Sequence, residues 1–385
     1  MSESSSIARI LRHPIASAES RESSALLVGA VAFALGALTG IVVFWGRAVP
    51  ISGRGSIGDF VAIGGALVAA AAFLFGCALR SAERRNAPAA SVNRPRLHWF
   101  DVAALNLAHA LIALLGWAGI ASLLSESFVG ATVYAVSAAV LAGVGMALTA
   151  YMAYLSAVNL TPMLLSLVLA LFLVVGALAS MLSATDPLWW QKNLSSLGMT
   201  DDISALAFNL TLIIAGVMVT TIAHYATAFL PHSTPAEKRG RSLVRFGLVL
   251  LGILLACVGI FPVDEFLEAH NTAATGMAIV YVALVLSLRW LCPSMPRVFI
   301  LLGYVYVGVI VVLAIFFITG YYNLTAVELV AAVLIFSWVI VFLRNTGAVE
   351  KPADRPVSTS TPIATPTLSH PTDLQNPHDV VASSP

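Results

Sequence analysis

Ten apolar blocks, each about 19–28 residues long, punctuate this chain and decide what it can fold into. They run at approximately 25–45, 58–79, 101–124, 128–155, 162–183, 203–229, 243–261, 271–291, 298–319 and 324–343. Crossing a hydrocarbon core takes about 20 apolar residues as a helix. Lipid offers no partner to a free backbone N–H or C=O, so each block must satisfy its own backbone by becoming a helix. The prediction is an all-α, polytopic transmembrane helix bundle of about ten helices. Composition agrees: 59% of residues are hydrophobic and 10% charged, against roughly 25% charged in soluble domains. The first block follows Arg9, Arg12 and Arg21 but spans about 21 residues, Ala25 to Trp45. Secretory signals have apolar cores of about 7–15 residues, so this block reads as a retained helix.

Orientation follows from where Lys and Arg fall. With the amino terminus inside, the cytoplasmic segments hold Arg9, Arg12, Arg21, Arg80, Arg84, Arg85, Arg94, Arg96, Lys238, Arg239, Arg241, Arg245, Arg289, Arg297, Arg344, Lys351 and Arg355. The external ones hold Arg47, Arg54 and Lys192, a split of 17 to 3 among the 20 basic residues. Positive charge resists translocation, so this bias predicts both termini in the cytoplasm and an even helix count.

The chain reads as a cytoplasmic segment 1–24, a four-helix region 25–158, a six-helix domain 162–344 hinged at Asn159-Leu160-Thr161-Pro162, and a tail 345–385. The tail, with Ser358-Thr359-Ser360-Thr361-Pro362, has too few apolar residues to offset ordering entropy and is expected to be disordered. The basic loop Ser81 to Leu97 reads as a topology determinant, with attraction to anionic headgroups as the alternative. Gly36 and Gly40 have the small-xxx-small spacing that lets helices approach closely. Cys77, Cys257 and Cys292 lack the spacing of a disulfide framework or zinc site. No Walker loop, His-Glu-x-x-His helix or Gly-x-Ser-x-Gly elbow occurs, so ATP hydrolysis and those hydrolytic chemistries have no basis in the sequence. No cofactor is expected, and a net charge of +1 gives no reason to expect nucleic acid.

Polar residues gather at the external ends. The loop between the fifth and sixth blocks carries Asp186, Trp189, Trp190, Lys192, Asn193, Ser195 and Ser196. The turn after the seventh carries Asp264 and Glu265, with Glu268 and His270 leading into the eighth and Glu328 opening the tenth. Asp186, Trp190, Asn193, Asp264, His270 and Glu328 are therefore candidate ligand-binding residues of one outer pocket. Ionisable groups within a span cost about 2.5–3.5 kcal/mol on insertion scales, which favours a use for them. The structural alternative makes the Trp pair an interfacial belt and the acids solvated loop residues. On the sixth block Asn209, Gly216, Thr220 and His224 are expected to share an inward face. Asn106 and His109 on the third form either an interhelical hydrogen bond or half of a paired site with His224.

Asn193-Leu194-Ser195-Ser196-Leu197-Gly198, then Phe208-Asn209 and Gly216, resemble the first signature of the domain of unknown function 998 family. Phe261-Pro262 with Asp264 and His270 resembles its second. The family is similar to six-helix membrane proteins of the autophagy-modulator type, and the resemblance covers about residues 162–344. It implies a six-helix bundle with both signature loops on the outer face, a loose link to lipid organisation, and no defined activity. The excess of Arg over Lys, 17 to 3, with abundant Ala, Gly and Val, points to a GC-rich bacterium.

Three functions fit. The first is a non-enzymatic inner-membrane protein that binds or moves a lipid or amphiphile through the outer pocket, with membrane lipids as its partners. The second is an intramembrane lipid hydrolase or transferase, with Asp264 and His270 as acid–base pair and Ser195 or Ser196 as the local nucleophile. The third is a scaffold for envelope protein partners that works through the tail.

Overall fold

An apolar block in lipid has only its own i→i−4 carbonyls to bond with, and ten long apolar helices form in the computed structural model. It describes residues 14–15, 17–86, 98–199, 203–228 and 230–348. In chain order these are α1 (Ala18–Phe44), β1 (Ala48–Pro50), α2 (Ile57–Asn86), α3 (Trp99–Ser127), β2 (Thr132–Tyr134), α4 (Ala135–Val158), α5 (Pro162–Ser183), α6 (Ile203–Thr227), α7 (Pro235–Ile260), α8 (Leu267–Leu291), α9 (Arg297–Ile318) and α10 (Leu324–Ala348). Every one of the ten helices is long and apolar enough to cross a membrane. The chain is a polytopic, all-α, multi-pass membrane bundle.

Helix ends depart from the hydropathy blocks where capping chemistry outranks apolarity. α7 starts at Pro235, eight residues before its apolar block. Thr234 and Glu237 close a capping box there and Pro235 fills the first turn, so a basic stretch continues the helix beyond its apolar part. α1 likewise begins at Ala18, where the Ser17 hydroxyl accepts the Ser20 N–H at 3.0 Å. The fourth block loses its first residues to a turn at Gly130 (φ 75°) and to β2. β2 pairs antiparallel with β1 in the register Ala48↔Tyr134, Val49↔Val133 and Pro50↔Thr132. This clasp, joining two loops at the same end of the bundle, was not expected. α2 continues through Ser81 to Asn86, so the helix claims the start of the expected basic loop. The rest of that loop and the tail beyond Ala348 lie outside the described residues.

Small residues set the tightest packing. α1 lies along α4, and a Cβ on Gly36 or Gly40 would come within 3.1 Å of the Cα of Gly143 or Ala139 respectively. α6 and α7 approach through Gly216 and Gly252, where a Cβ on Gly216 would overlap the Gly252 carbonyl. Lipid tails are as apolar as leucine, so such backbone contact, rather than hydrophobic burial, is what draws these helices together. α2 packs between α3 and α4, while α3 also meets α5 and α6. The last helices are held by an aromatic group: Trp338 stacks on Phe299 and Phe342 at 5.4 and 5.7 Å, and meets Tyr281 edge-on at 5.5 Å.

His109 makes the interhelical hydrogen bond. Its Nδ1 lies 2.7 Å from the Leu105 carbonyl and its Nε2 2.8 Å from Ser156 Oγ on α4. No site shared with His224 forms, because His224 is exposed and bonds only the Thr220 carbonyl of its own helix. The inward row on α6 is therefore shorter than expected. Asn209, Gly216 and Thr220 meet the connecting loop or α7. Each i+4 step rotates about 40° around a helix of 3.6 residues per turn, which carries His224 out of that row.

Candidate functional site

The segment between α5 and α6 folds over one end of the bundle as two short 3-10 turns, Trp189–Gln191 and Leu194–Gly198. Its own side chains pin it. Asp186 accepts the Leu188 N–H at 2.9 Å and pairs with Lys192 at 3.0 Å. The Leu188 N–H first, then Lys192, hold the Asp186 carboxyl below the usual carboxylate range. Ser196 donates to the carbonyls of Asn193 and Trp189 at 2.6 and 3.1 Å. Asn209 Nδ2 donates to Gly198 O at 3.1 Å, and Asn323 Nδ2 to Trp190 O at 2.9 Å.

That fold delivers Ser195 to His270. α7 ends at Ile260 and Pro262 follows, so the Phe261 carbonyl has no next helical turn to accept from. His270, buried in the first turn of α8, takes it: Nδ1 stands 2.8 Å from Phe261 O. A carbonyl can only accept, so Nδ1 bears the proton. In the neutral ring Nε2 then accepts, and the Ser195 hydroxyl donates to it at 2.9 Å. On the neighbouring residue the Leu194 N–H donates to Glu328 Oε2 of α10 at 2.6 Å.

Beneath this string lies a cavity of about 530 Å³ between α5, α6, α7, α8 and α10. Leu173, Phe208, Met277, Ala332 and Phe336 are among its walls, and Ser195 with Glu328 forms the polar end. α8 and α10 scarcely touch along their length; the Tyr281–Trp338 contact joins them. The space exists because three bulky aromatic partners of Trp338 set the spacing of α8, α9 and α10, while Ala274, Ala278, Ala331 and Ala332 leave the room above unfilled.

Of the six sequence candidates, His270 and Glu328 come together through Ser195 and Leu194. Asn193 adjoins them, its Oδ1 buried without a hydrogen-bond partner among the described residues. The other three stand apart. Asp186 is committed to its own loop. The Trp190 ring is 48% exposed and does not line the cavity, so stacking on an occupant is not its position. Asp264 is exposed in the α7–α8 turn and makes no hydrogen bond with His270, whose two nitrogens are already taken. The turn that carries Asp264 is closed by the Phe266 N–H, which bonds back to Pro262 O at 2.9 Å. Ser195, which sequence reasoning named only as one of two neighbouring serines, is the residue the geometry singles out. Its signal was faint: serine next to serine, with no spacing relation to His270.

No protein-family model, curated protein or solved structure matches the chain. Among the described residues no group of three or more His, Cys, Asp or Glu side chains could hold a metal ion. What the arrangement offers is an apolar chamber with a short row of oxygen acceptors at one end.

Proposed function

We propose that this multi-pass protein serves in a bacterial inner membrane and binds an amphiphile in the chamber under Ser195, with both termini cytoplasmic and the chamber in the outer half. The supporting observation is the pairing of an apolar cavity of about 530 Å³ with one polar end. That volume falls in the roughly 300–1,000 Å³ typical of ligand pockets. Ser195 spends its hydrogen on His270, so its oxygen is left to accept; Glu328 keeps Oε1 uncommitted. The occupant is therefore an amphiphile whose head group donates, a hydroxyl or an amine. The resemblance of Asn193–Gly198 and Phe261–Pro262 to the domain of unknown function 998 family supports a lipid role.

A titration of the full chain in nanodiscs tests this with a long-chain monoacylglycerol against the matching fatty acid methyl ester, which has no donor. Wild type should favour the monoacylglycerol about tenfold, the worth of one hydrogen bond near 1.4 kcal/mol. Ser195→Ala and Glu328→Gln should lose that preference. Equal binding of both probes by wild type would overturn the reading.

The Ser195–His270 distance favours a second reading, acyl hydrolysis or transfer. Ser195 Oγ would attack an ester carbonyl while its proton passes to His270 Nε2, and the Phe261 carbonyl would steady the imidazolium. The ester C–O bond would break as His270 returns the proton to the departing alcohol, and water or an acceptor hydroxyl, deprotonated by His270, would then release the acyl group from Ser195. Asp264 has no part in it. A lipophilic fluorophosphonate decides: labelling of Ser195 that disappears in His270→Ala supports catalysis, and an unlabelled wild type removes it.

A further inference from the structure

A second cavity, of about 730 Å³, opens at the basic ends of three helices, far along α6 and α7 from Ser195. The start of α3 supplies His98 and Asp101, α6 supplies Thr220, Thr221 and His224, and α7 supplies Arg245. Its two opposite charges do not meet. Asp101 accepts from the Thr221 hydroxyl at 3.0 Å and the His98 N–H at 2.9 Å, with His98 Nδ1 at 3.6 Å. Arg245 donates Nε to Thr227 Oγ1 at 2.8 Å, and its two terminal nitrogens have no partner among the described residues. Each charge is thus tied to a different threonine of α6, and those threonines are six residues apart, about 9 Å along the axis and about a third of a turn around it. Were the site only a salt bridge between helices, Coulomb attraction would favour the two groups in contact. They are instead held apart across open volume.

We propose that this cavity binds a zwitterion, its anionic group on the free nitrogens of Arg245 and its primary ammonium on Asp101. An anion and an ammonium two carbons apart let the two ends of one head group meet different walls of this cavity. Arg245, which lines the cavity, suits the anion because its Nε is engaged and its terminal nitrogens remain as a planar pair of donors. His224, exposed at the rim, adds a ring nitrogen on the same side. Two sources carry this chemistry: the head group of an aminophospholipid, and a free compound such as phosphoethanolamine. The site is independent of Ser195, so either proposal can fail alone.

The test uses the full chain in phosphatidylglycerol nanodiscs, titrated with phosphoethanolamine, phosphocholine and ethyl phosphate. Phosphoethanolamine should bind at least fivefold more tightly than phosphocholine, which has no N–H, and than ethyl phosphate, which has no ammonium. Asp101→Asn should bring phosphoethanolamine down to the ethyl phosphate level. Arg245→Gln should weaken all three phosphate compounds about tenfold, and Arg245→Lys should recover part of the loss. A wild type that binds all three equally overturns the proposal, as does an Asp101→Asn variant of unchanged melting temperature that keeps the preference. A second arm replaces phosphatidylglycerol with phosphatidylethanolamine: if that lipid blocks the added phosphoethanolamine, the head group is the source, and if it does not, the free compound is.

Discussion

Two histidine–serine pairs sit in this molecule with nearly the same internal geometry. In one, His109 Nδ1 bonds the Leu105 carbonyl and Nε2 meets Ser156 at 2.8 Å. In the other, His270 Nδ1 bonds the Phe261 carbonyl and Nε2 meets Ser195 at 2.9 Å. The first is closed in: Phe73 packs its ring 4.4 Å from His109, and alanines of α2, α3 and α4 fill the surroundings. The second opens through Ser195 onto the apolar chamber. The hydrogen bonds alone would not tell a helix fastener from a site. Space beside the serine does.

The comparison can be broken in order of expected effect. Replacing His270 by Ala should reduce monoacylglycerol binding about tenfold, since Ser195 loses the acceptor that orients it, while His109→Ala should leave binding per folded molecule unchanged. Equal losses in the two variants would end the distinction. Stability should run the opposite way: Ser156→Ala, which strands a buried ring nitrogen between α3 and α4, should cost about 1–3 kcal/mol in a reversible unfolding assay. Ser195→Ala should cost less, because water or an occupant can reach the vacated position. Filling the chamber with Ala331→Phe should lower amphiphile binding severalfold and spare the His109 side entirely, as read by the same titration. The smallest effect concerns Asp186. Its folded carboxyl titrates below the ordinary 3.8, so its contribution to loop order is complete above that value and fades as pH falls through the depressed one. Trp189–Trp190 fluorescence should stay flat from neutral pH down to that range in wild type, and Asp186→Asn should show no such acid step. Asp264→Asn should change nothing in any of these assays.

Much of the bundle was legible because lipid leaves a chain few choices. Ten apolar blocks became ten helices at nearly the same positions, and Gly36 and Gly40 proved to be a helix contact. The misplaced starts of α1 and α7 came from reading apolarity where Ser17 and the Thr234–Glu237 capping box set the boundary. At the site, His270 and Glu328 were visible as costly ionisable groups near span ends, whereas Ser195 was an ordinary loop serine until its loop folded. Asp264 misled because lying six residues before His270 in sequence says nothing about which way a turn points its carboxylate.

The sequence by itself determined the helices, their number and the sign pattern of their ends, since burial of backbone in lipid is a local demand that each segment meets alone. Tertiary structure decided which polar residues meet, that a chamber lies beneath Ser195, and that Arg245 and Asp101 line one cavity without pairing. Those outcomes depend on how α3, α5 to α8 and α10 space themselves around small residues and, at the chamber, one stacked tryptophan. That spacing is a sum over many weak contacts between distant segments, which no single stretch of chain encodes.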